Sequence, residues 1–367
     1  MKKIGIDARL YFQTGVGVYL RNLLFHLQKN PPRDSTFFVY VLREDSGKII
    51  FKGDRFVKRE VTDKWHSVGE QYNFLSEIKK DNLDLMHFTY FGYPVLYKKP
   101  FVATVHDLTH LFFKSGISST KSPLIYNFKH FVFRFVLKSQ IRNSKYIITP
   151  TKAIRSQIGE TFGNKYSDKI FPIFEGLNRE LLEASENTLL KNKFKKPFFL
   201  CVSNFYPHKN AERLIQAFAE IETDSQLVLV GPDDYFAERT QELINRLSQE
   251  KRIILFHNVK IDDFVFFYKN ALALVHPSLA EGFGLPLVEA MHFNLPIIAS
   301  NIEVFKEVLD DQYIAFDPYD VEDMVNKIKK FIKEKPAFNY EKLLKKYSFE
   351  EMTKKTLEVY NKAIDER

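Results

Sequence analysis

Short, nearly continuous apolar runs alternate along this chain with longer stretches whose apolar positions recur at helical spacing. Runs that are apolar on both faces suit strands buried between helix layers, so the pattern predicts parallel sheets in an α/β architecture. The first half offers strands at "KKIGIDA" (2–8), "FFVYVL" (37–42), "LDLMHF" (83–88), "FVATVH" (101–106), "KYIITP" (145–150) and "KIFPIF" (169–174). A turn at "TGVG" leads from the first of these into a helix through "VYLRNLLFHLQ". The polar, charged stretch "EGLNRELLEASENTLLKNKFKK" (175–196) reads as a linker. A second series begins at "PFFLCVSNF" (197–205) and continues with "QLVLVG" (226–231), "RIILFH" (252–257), "ALALVHP" (271–277) and "PIIAS" (296–300). An amphipathic helix, "FEEMTKKTLEVYNKA" (349–363), follows the last strand.

At 367 residues the chain exceeds what one core supports, and the pattern divides it into two α/β domains at 1–177 and 178–348. Two open parallel sheets present their strand C-termini, and therefore their loops, around a shared crevice where ligands bind. Composition, with 45% hydrophobic and 27% charged residues, excludes a disordered chain. The single cysteine, Cys201, sits in the apolar run "FFLCV" and reads as a buried strand residue. A disulfide framework and a cysteine metal site are excluded, which suits a reducing cytoplasm. Asp7 and Arg9 interrupt the start where a signal peptide needs an apolar core, and no apolar run reaches the ~18 residues of a spanning helix, so the expected location is cytoplasmic. Charge is uneven. Residues 1–176 carry 28 Lys+Arg against 15 Asp+Glu, whereas the remainder has a net charge of −5. Residues 108–159 hold nine Lys/Arg and no acid, so the two halves are expected to face different partners.

Polar chemistry lies just after the strands. Gly15 and Gly17 in "TGVGVYL" open a helix where backbone N–H groups can approach an anion; a tight turn without a ligand is the plainer reading. Leu20 occupies the third glycine of a dinucleotide fingerprint. "VATVHDLTHL" ends a strand on His106 and Asp107, suited either to a sugar hydroxyl or phosphate or to capping the next segment. In "CVSNFYPHKNAERLIQAF", Lys209 stands at a helix start, where its ammonium and the helix dipole act on one anion. The stretch "SLAEGFGLPLVEAM" places Glu281 on a loop and Glu289 inside a helix that Pro286 starts. Two acids so spread suit an elongated ligand, each accepting from a vicinal diol, and Gly282 and Gly284 would leave amides open to it. A nucleotide sugar has such a diol on each ring and a diphosphate between.

These residues resemble glycosyltransferase family 4, retaining enzymes of the GT-B fold. The likeness rests on the glycine turn, "HDL" (106–108), "HKN" (208–210), "HPSLAEGFGLPLVEAM" (276–291) and "YSFEEMTKKTLEVY". It implies two Rossmann-like parallel-sheet domains facing a central crevice, with the terminal helix, 349–367, crossing back to the first. It further implies that Glu281 contacts the donor hexose, aided by amides near Phe283, Gly284 and Leu285, and that Glu289 holds the ribose. Lys209 with the Gly15–Gly17 turn would neutralise the diphosphate, and His106 would meet the transferred sugar. His208 and Asn204 stand where many members carry an arginine, leaving one fixed cation in the clamp.

The resemblance implies same-face substitution, in which the departing phosphate takes the acceptor's proton and lysine and helix dipoles stabilise it without a metal or other cofactor. The partners expected are a nucleotide sugar and a glycan or lipid-linked acceptor of a bacterial surface polysaccharide, with mannose as the leading hexose and no role for nucleic acid. The rival readings are a nicotinamide oxidoreductase, which the missing third glycine disfavours, and a glycosidase, whose acids must flank one bond. A non-catalytic sugar-nucleotide binder shares every motif.

Within the acid-free segment, "SPLIYNFKHFVFRFVLKSQIR" reads as a helix capped by Ser122. Asn127, His130, Arg134, Lys138 and Arg142 recur on one face, with Phe128, Phe131, Val132, Phe135 and Val136 mainly opposite. Either this is a surface helix packing its apolar side on the domain, or its basic face docks on an anionic inner leaflet.

Overall fold

A computed structural model describes residues 1–113 and 123–366, which leaves the expected cap at Ser122 outside the described residues. Strands β1 (Lys2–Asp7), β2 (Ser35–Leu42), β3 (Phe56–Val61), β4 (Leu85–Phe88), β5 (Phe101–Thr104), β6 (Tyr146–Thr149) and β7 (Ile170–Pro172) form one sheet in the order β3-β2-β1-β4-β5-β6-β7. A second sheet has β8 (Phe198–Val202), β9 (Gln226–Val230), β10 (Ile253–Phe256), β11 (Leu274–His276), β12 (Ile297–Ser300) and β13 (Ile314–Phe316) in the order β10-β9-β8-β11-β12-β13. Neighbouring strands pair in parallel in both, as with Ile4 against Phe37 and Phe199 against Leu227. Continuous apolar runs such as "FFLCV" form these strands because helices cover both faces. Each order reverses beside its first strand, between β1 and β4 and between β8 and β11, and loops leaving such a switch point are where open α/β sheets take ligands.

Two strands escaped the sequence pattern. In β3, Lys58, Arg59 and Glu60 break the apolar run, because an edge strand is only half covered. The three-residue β13 was also passed over. The stretch 175–196, expected as a linker from its polarity, holds the point after Gly176 where the chain passes from one compact unit to the other, and it is structured. It contains a helix at Arg179–Glu183, started by Asn178 and anchored by buried Leu181, and Asn187 reaches Asp263 at 2.7 Å.

The chain forms two compact units. One gathers Met1–Leu111, the segment ending at Gly176 and the residues from Ser348 onward; the other is built on Leu177–Tyr347. Helices α1 (Val16–Lys29) and α2 (Pro123–Asn143) belong to the first unit; α3 (Ala211–Ala219), α4 (Ile261–Asn270) and α5 (Leu285–His292) belong to the second. The terminal helix α6 (Phe349–Asp365) packs on α1, β4, β5 and β6, and so completes the first unit. A buried polar chain fastens it: Tyr360 Oη lies 2.6 Å from His87 Nδ1, His87 Nε2 lies 2.7 Å from Thr104 Oγ1, and Tyr19 Oη lies 3.3 Å from the same hydroxyl. Full burial drives the His87 pKa down to about 3, so this imidazole is neutral between its two hydroxyl partners.

Candidate functional site

The loops leaving β8 and β11 at the second sheet's switch point meet each other. After β8 the chain makes a short 3-10 turn, Pro207–Lys209, and Asn210 takes the left-handed conformation (φ 61°) before α3 begins. The Asn210 side chain donates to the carbonyls of Pro277, at 3.1 Å, and Pro318, at 2.7 Å, while Leu279 N donates to the His208 carbonyl at 2.7 Å. These bonds fix Lys209 against the second loop, where its ammonium lies 2.6 Å from Glu281 Oε1. Ser278 Oγ donates to the same oxygen at 2.8 Å, and His276 Nε2 lies 3.1 Å from it. Burial works against the Glu281 carboxylate, but the Lys209 charge and the His276 hydrogen bond outweigh it and hold its pKa well below the usual carboxylate range. Glu281 is therefore an obligate acceptor. His276 and Ser278 were not singled out from the sequence, although both stand within five residues of Glu281.

Lys209 thus has a carboxylate partner that the reading of it as a diphosphate cation did not foresee. Asn204 and His208 lie in the same loop, and the Asn204 Oδ1 atom is buried with no hydrogen-bond partner among the described residues. Glu289 sits on α5, and Tyr268 Oη of α4 donates to its Oε2 at 2.6 Å. Burial pushes the Glu289 carboxyl above its ordinary value, offset only in part by that bond. The two acids therefore keep separate partners and opposite proton affinities. Tyr268 could not be found from sequence spacing, since it comes from another helix and stacks on Phe293 with ring centroids 5.7 Å apart.

One expectation about the glycine-rich loop is corrected. Gly282 and Gly284 are buried, and a Cβ on Gly284 would come within 2.9 Å of Leu287 Cδ1. What Gly284 supplies is the left-handed φ of 92° from which α5 starts, with Leu285 and Pro286 in its first turn. The Phe283 ring is buried edge-on to Tyr347 at 5.5 Å, a core contact.

The first unit presents a different set. Gly15, with a φ of 65° and open space around its Cα, precedes α1, whereas Gly17 is packed so that a Cβ would fall 2.7 Å from the Tyr11 carbonyl. The missing side chain at Gly17 serves that packing. His106 is buried after β5, with Nδ1 3.3 Å from Glu175 Oε1 and Nε2 3.0 Å from the Thr89 carbonyl. Both ring nitrogens face protein acceptors, so any sugar contact of His106 must displace one of these neighbours. Asp107 caps the next turn by accepting from Thr109 N at 2.7 Å. Arg9 is buried in a pair with Asp7, Nη2 to Oδ2 at 2.7 Å, and reaches Glu70 Oε1 at 2.6 Å over the face of Phe74. Among the described residues no group of three or more His, Cys, Asp or Glu side chains could hold a metal ion.

Helix α2 departs from its expected faces. Its packed stripe holds Leu137, Gln140 and Ile141, with half-buried Phe133 and Val136 beside them. Phe128, Phe131 and Phe135 are exposed together with Arg134, Lys138 and Arg142. The phenylalanines and cations share the outer surface because residues 131, 135, 138 and 142 fall on one helical row.

Comparisons agree with this architecture. The "Glycosyltransferase Family 4" model matches residues 14–181, and "Glycosyl transferases group 1" matches residues 185–351. The chain is 28% identical over 278 residues to the O-antigen chain mannosyltransferase RfbU of Salmonella typhimurium, covering 75% of this chain and 72% of that one. It is also 28% identical over 195 residues to O-antigen chain mannosyltransferase B of Escherichia coli, covering 51% of each. Among solved structures it superposes on Anabaena Alr3699/HepE in complex with UDP and glucose with a TM-score of 0.75 at 16% identity, covering 99% of this chain and 100% of that chain. No helix among the described residues is long and apolar enough to cross a membrane. With both halves matched in sequence and the two-sheet architecture matched in structure, the chain belongs to glycosyltransferase family 4 and has the GT-B fold.

Proposed function

We propose that this glycosyltransferase moves a hexose, mannose foremost, from a nucleoside diphosphate sugar to a glycan or lipid-linked acceptor of a bacterial surface polysaccharide, with retention at the anomeric carbon. The observation that carries the reading is the convergence of Lys209, Ser278 and His276 on one oxygen of Glu281 at the second sheet's switch point. An ionised carboxylate so anchored by Oε1 accepts a hexose hydroxyl at Oε2, and Lys209 stands beside it to meet the diphosphate. Glu289, oriented by Tyr268, takes the ribose diol. Departure of the diphosphate builds negative charge beside Lys209 and positive charge on the sugar, and a fixed cation stabilises the first without reorganising. The departing phosphate then accepts the acceptor's proton on the same face. Mannose is favoured because the O-antigen relatives bear the name mannosyltransferase, and a nucleoside diphosphate carrier is favoured because a matched structure holds UDP.

A thermal-shift screen of nucleoside diphosphate sugars, followed by transfer to lipid-linked oligosaccharide, tests this. At 100 times Kd a true donor stabilises the protein by about 2.7 kcal/mol. We expect a nucleoside diphosphate mannose to be among the stabilising donors and its product to keep the donor's anomeric configuration by NMR. Inverted product, or no stabilisation by any donor, refutes the reading.

A further inference from the structure

The outer face of α2 is unlike the rest of the first unit's surface. Phe128, Phe131 and Phe135 are 68%, 69% and 58% exposed, and Val132 is 40% exposed. They alternate along the helix with exposed Lys129, Arg134, Lys138 and Arg142. From Phe128 to Arg142 the surface runs roughly 21 Å at 1.5 Å per residue. The inner face is already committed to the first unit's core, so this outward set is not the helix's packing side. Gln140 donates to the Tyr90 carbonyl at 3.0 Å, and Ser139 lies 2.7 Å from Tyr93 Oη. Phe133 packs edge-on to Phe91, with ring centroids 5.9 Å apart, and to His110 at 6.0 Å.

We propose that the outer face of α2 docks the first unit on an anionic lipid bilayer. This goes beyond the transfer reaction and does not depend on which sugar is moved. Three aromatic rings on one exposed helical face are costly to leave in water and sparse in ordinary surfaces, and rings of this size enter the headgroup boundary. Cations set between them have aliphatic stems that lie along the apolar surface while their heads reach lipid phosphates. No acid occurs from residue 108 to residue 159, so nothing on this helix opposes a negative surface. That complementarity selects an anionic bilayer over a second copy of the chain, whose matching face would carry the same positive charge.

The test is co-sedimentation of the whole protein with phosphatidylcholine vesicles, with and without 30% phosphatidylglycerol (roughly the share that gives a strong surface potential). Binding is expected only with the anionic lipid and should weaken as salt is raised. Changing Arg134→Gln, Lys138→Gln and Arg142→Gln together should lower the partition coefficient on the order of 100-fold, from the share each cation contributes near an anionic surface. Changing Phe128→Ser, Phe131→Ser and Phe135→Ser together should abolish stable binding while leaving the melting temperature and nucleoside diphosphate affinity unchanged, because these rings pack on no core. Equal binding to both vesicle types, no binding to either, or unaltered binding in both triple variants overturns the proposal. So does sedimentation velocity showing a dimer that the phenylalanine variant dissolves. Nucleotide affinity is read separately, so failure here leaves the transferase reading standing, and the reverse also holds.

Discussion

The two sheets share a strand order around their first strands, yet the chemistry beyond their carboxyl edges is unlike. At the ends of β8 and β11, three donors converge on a single carboxylate oxygen, and all four residues come from the last residue of β11 and the two short loops that follow these strands. In the first unit the ionisable groups close on one another across the chain. Arg9 meets Glu70 at a separation of 61 residues, His106 meets Glu175 at 69, and His87 meets Tyr360 at 273. One arrangement gathers charge that a polar ligand can share. The other spends its hydrogen bonds on holding distant segments together, which makes the first unit's buried polar groups scaffold first.

The strongest way to break this contrast is Glu281→Gln. It keeps the shape and one acceptor but removes the charge that faces Lys209, so transfer should fall at least ~100-fold, the scale of losing a preorganised electrostatic contact. Removing one partner of a buried pair should also cost about 3 kcal/mol of stability, because both side chains are mostly covered, at 17% and 11% exposure. Adding Lys209→Met should restore part of that stability but none of the transfer. Near-normal transfer by the single variant in a radiolabelled donor assay would mean that the convergence is only structural.

Lys209→Ala sharpens the same point. Losing a charge-assisted contact should weaken a nucleoside diphosphate by about 2.5 kcal/mol and the bare nucleoside far less. Titration calorimetry with both ligands distinguishes the cases. Equal losses would assign Lys209 wholly to its Glu281 partner and remove it from the diphosphate site.

How much could be read in advance follows the same division. Part of the second unit's polar cluster could be picked out because its pieces are contiguous: Glu281 and Glu289 lie in one run and Lys209 lies just past a strand, although His276 and Ser278 beside Glu281 were passed over. Tyr268 could not be picked out, since only packing of α4 against α5 brings it to Glu289. In the first unit, Arg9 showed only as a charge in an otherwise apolar start, and its partner Glu70 carried no local signal at all. Periodicity likewise found most strands but not β3, whose consecutive Lys58, Arg59 and Glu60 reflect its place at the sheet edge. In α2 it identified the residues but misassigned the side that packs, because apolar residues encircle much of the helix and only the contacts of Gln140 and Phe133 decide its rotation.

His87 tests the scaffold half. Its folded pKa is depressed to about 3, so above the ordinary histidine range of ~6.5 its contribution is fully present, and it is lost as pH falls toward the folded value. Between pH 7 and pH 5 the unfolded chain takes up a proton that the native chain refuses, which should cost roughly 2 kcal/mol. Urea unfolding of the wild type and His87→Gln at both pH values should show the stability gap between them shrinking by that amount. A gap unchanged with pH would mean that His87 is not held neutral.

The smallest effect separates the two acids of the second unit. Glu281 stays ionised because Lys209 and His276 outweigh its burial, whereas Glu289 has only a neutral hydroxyl, Tyr268, to oppose its own. In the role proposed for Glu289, the carboxylate form would accept from a ribose diol, and the protonated form would lose the charge-assisted part of that contact. As pH falls through the raised Glu289 value, nucleoside affinity should therefore decline, by up to about tenfold. Lys209 plays no part here, because the nucleoside carries no phosphate. Tyr268→Phe removes the one bond favouring the ionised form, so it should raise the Glu289 pKa further and shift the decline to higher pH. Glu289→Gln should flatten the profile at the weaker level. Calorimetric titrations of nucleoside from pH 7.5 down to about pH 5, close above the ordinary carboxylate range, measure all three proteins. A wild-type affinity that does not change with pH, or a profile unmoved by Tyr268→Phe, would remove Glu289 from the ribose and leave Glu281 as the only acid of the pair with a ligand role.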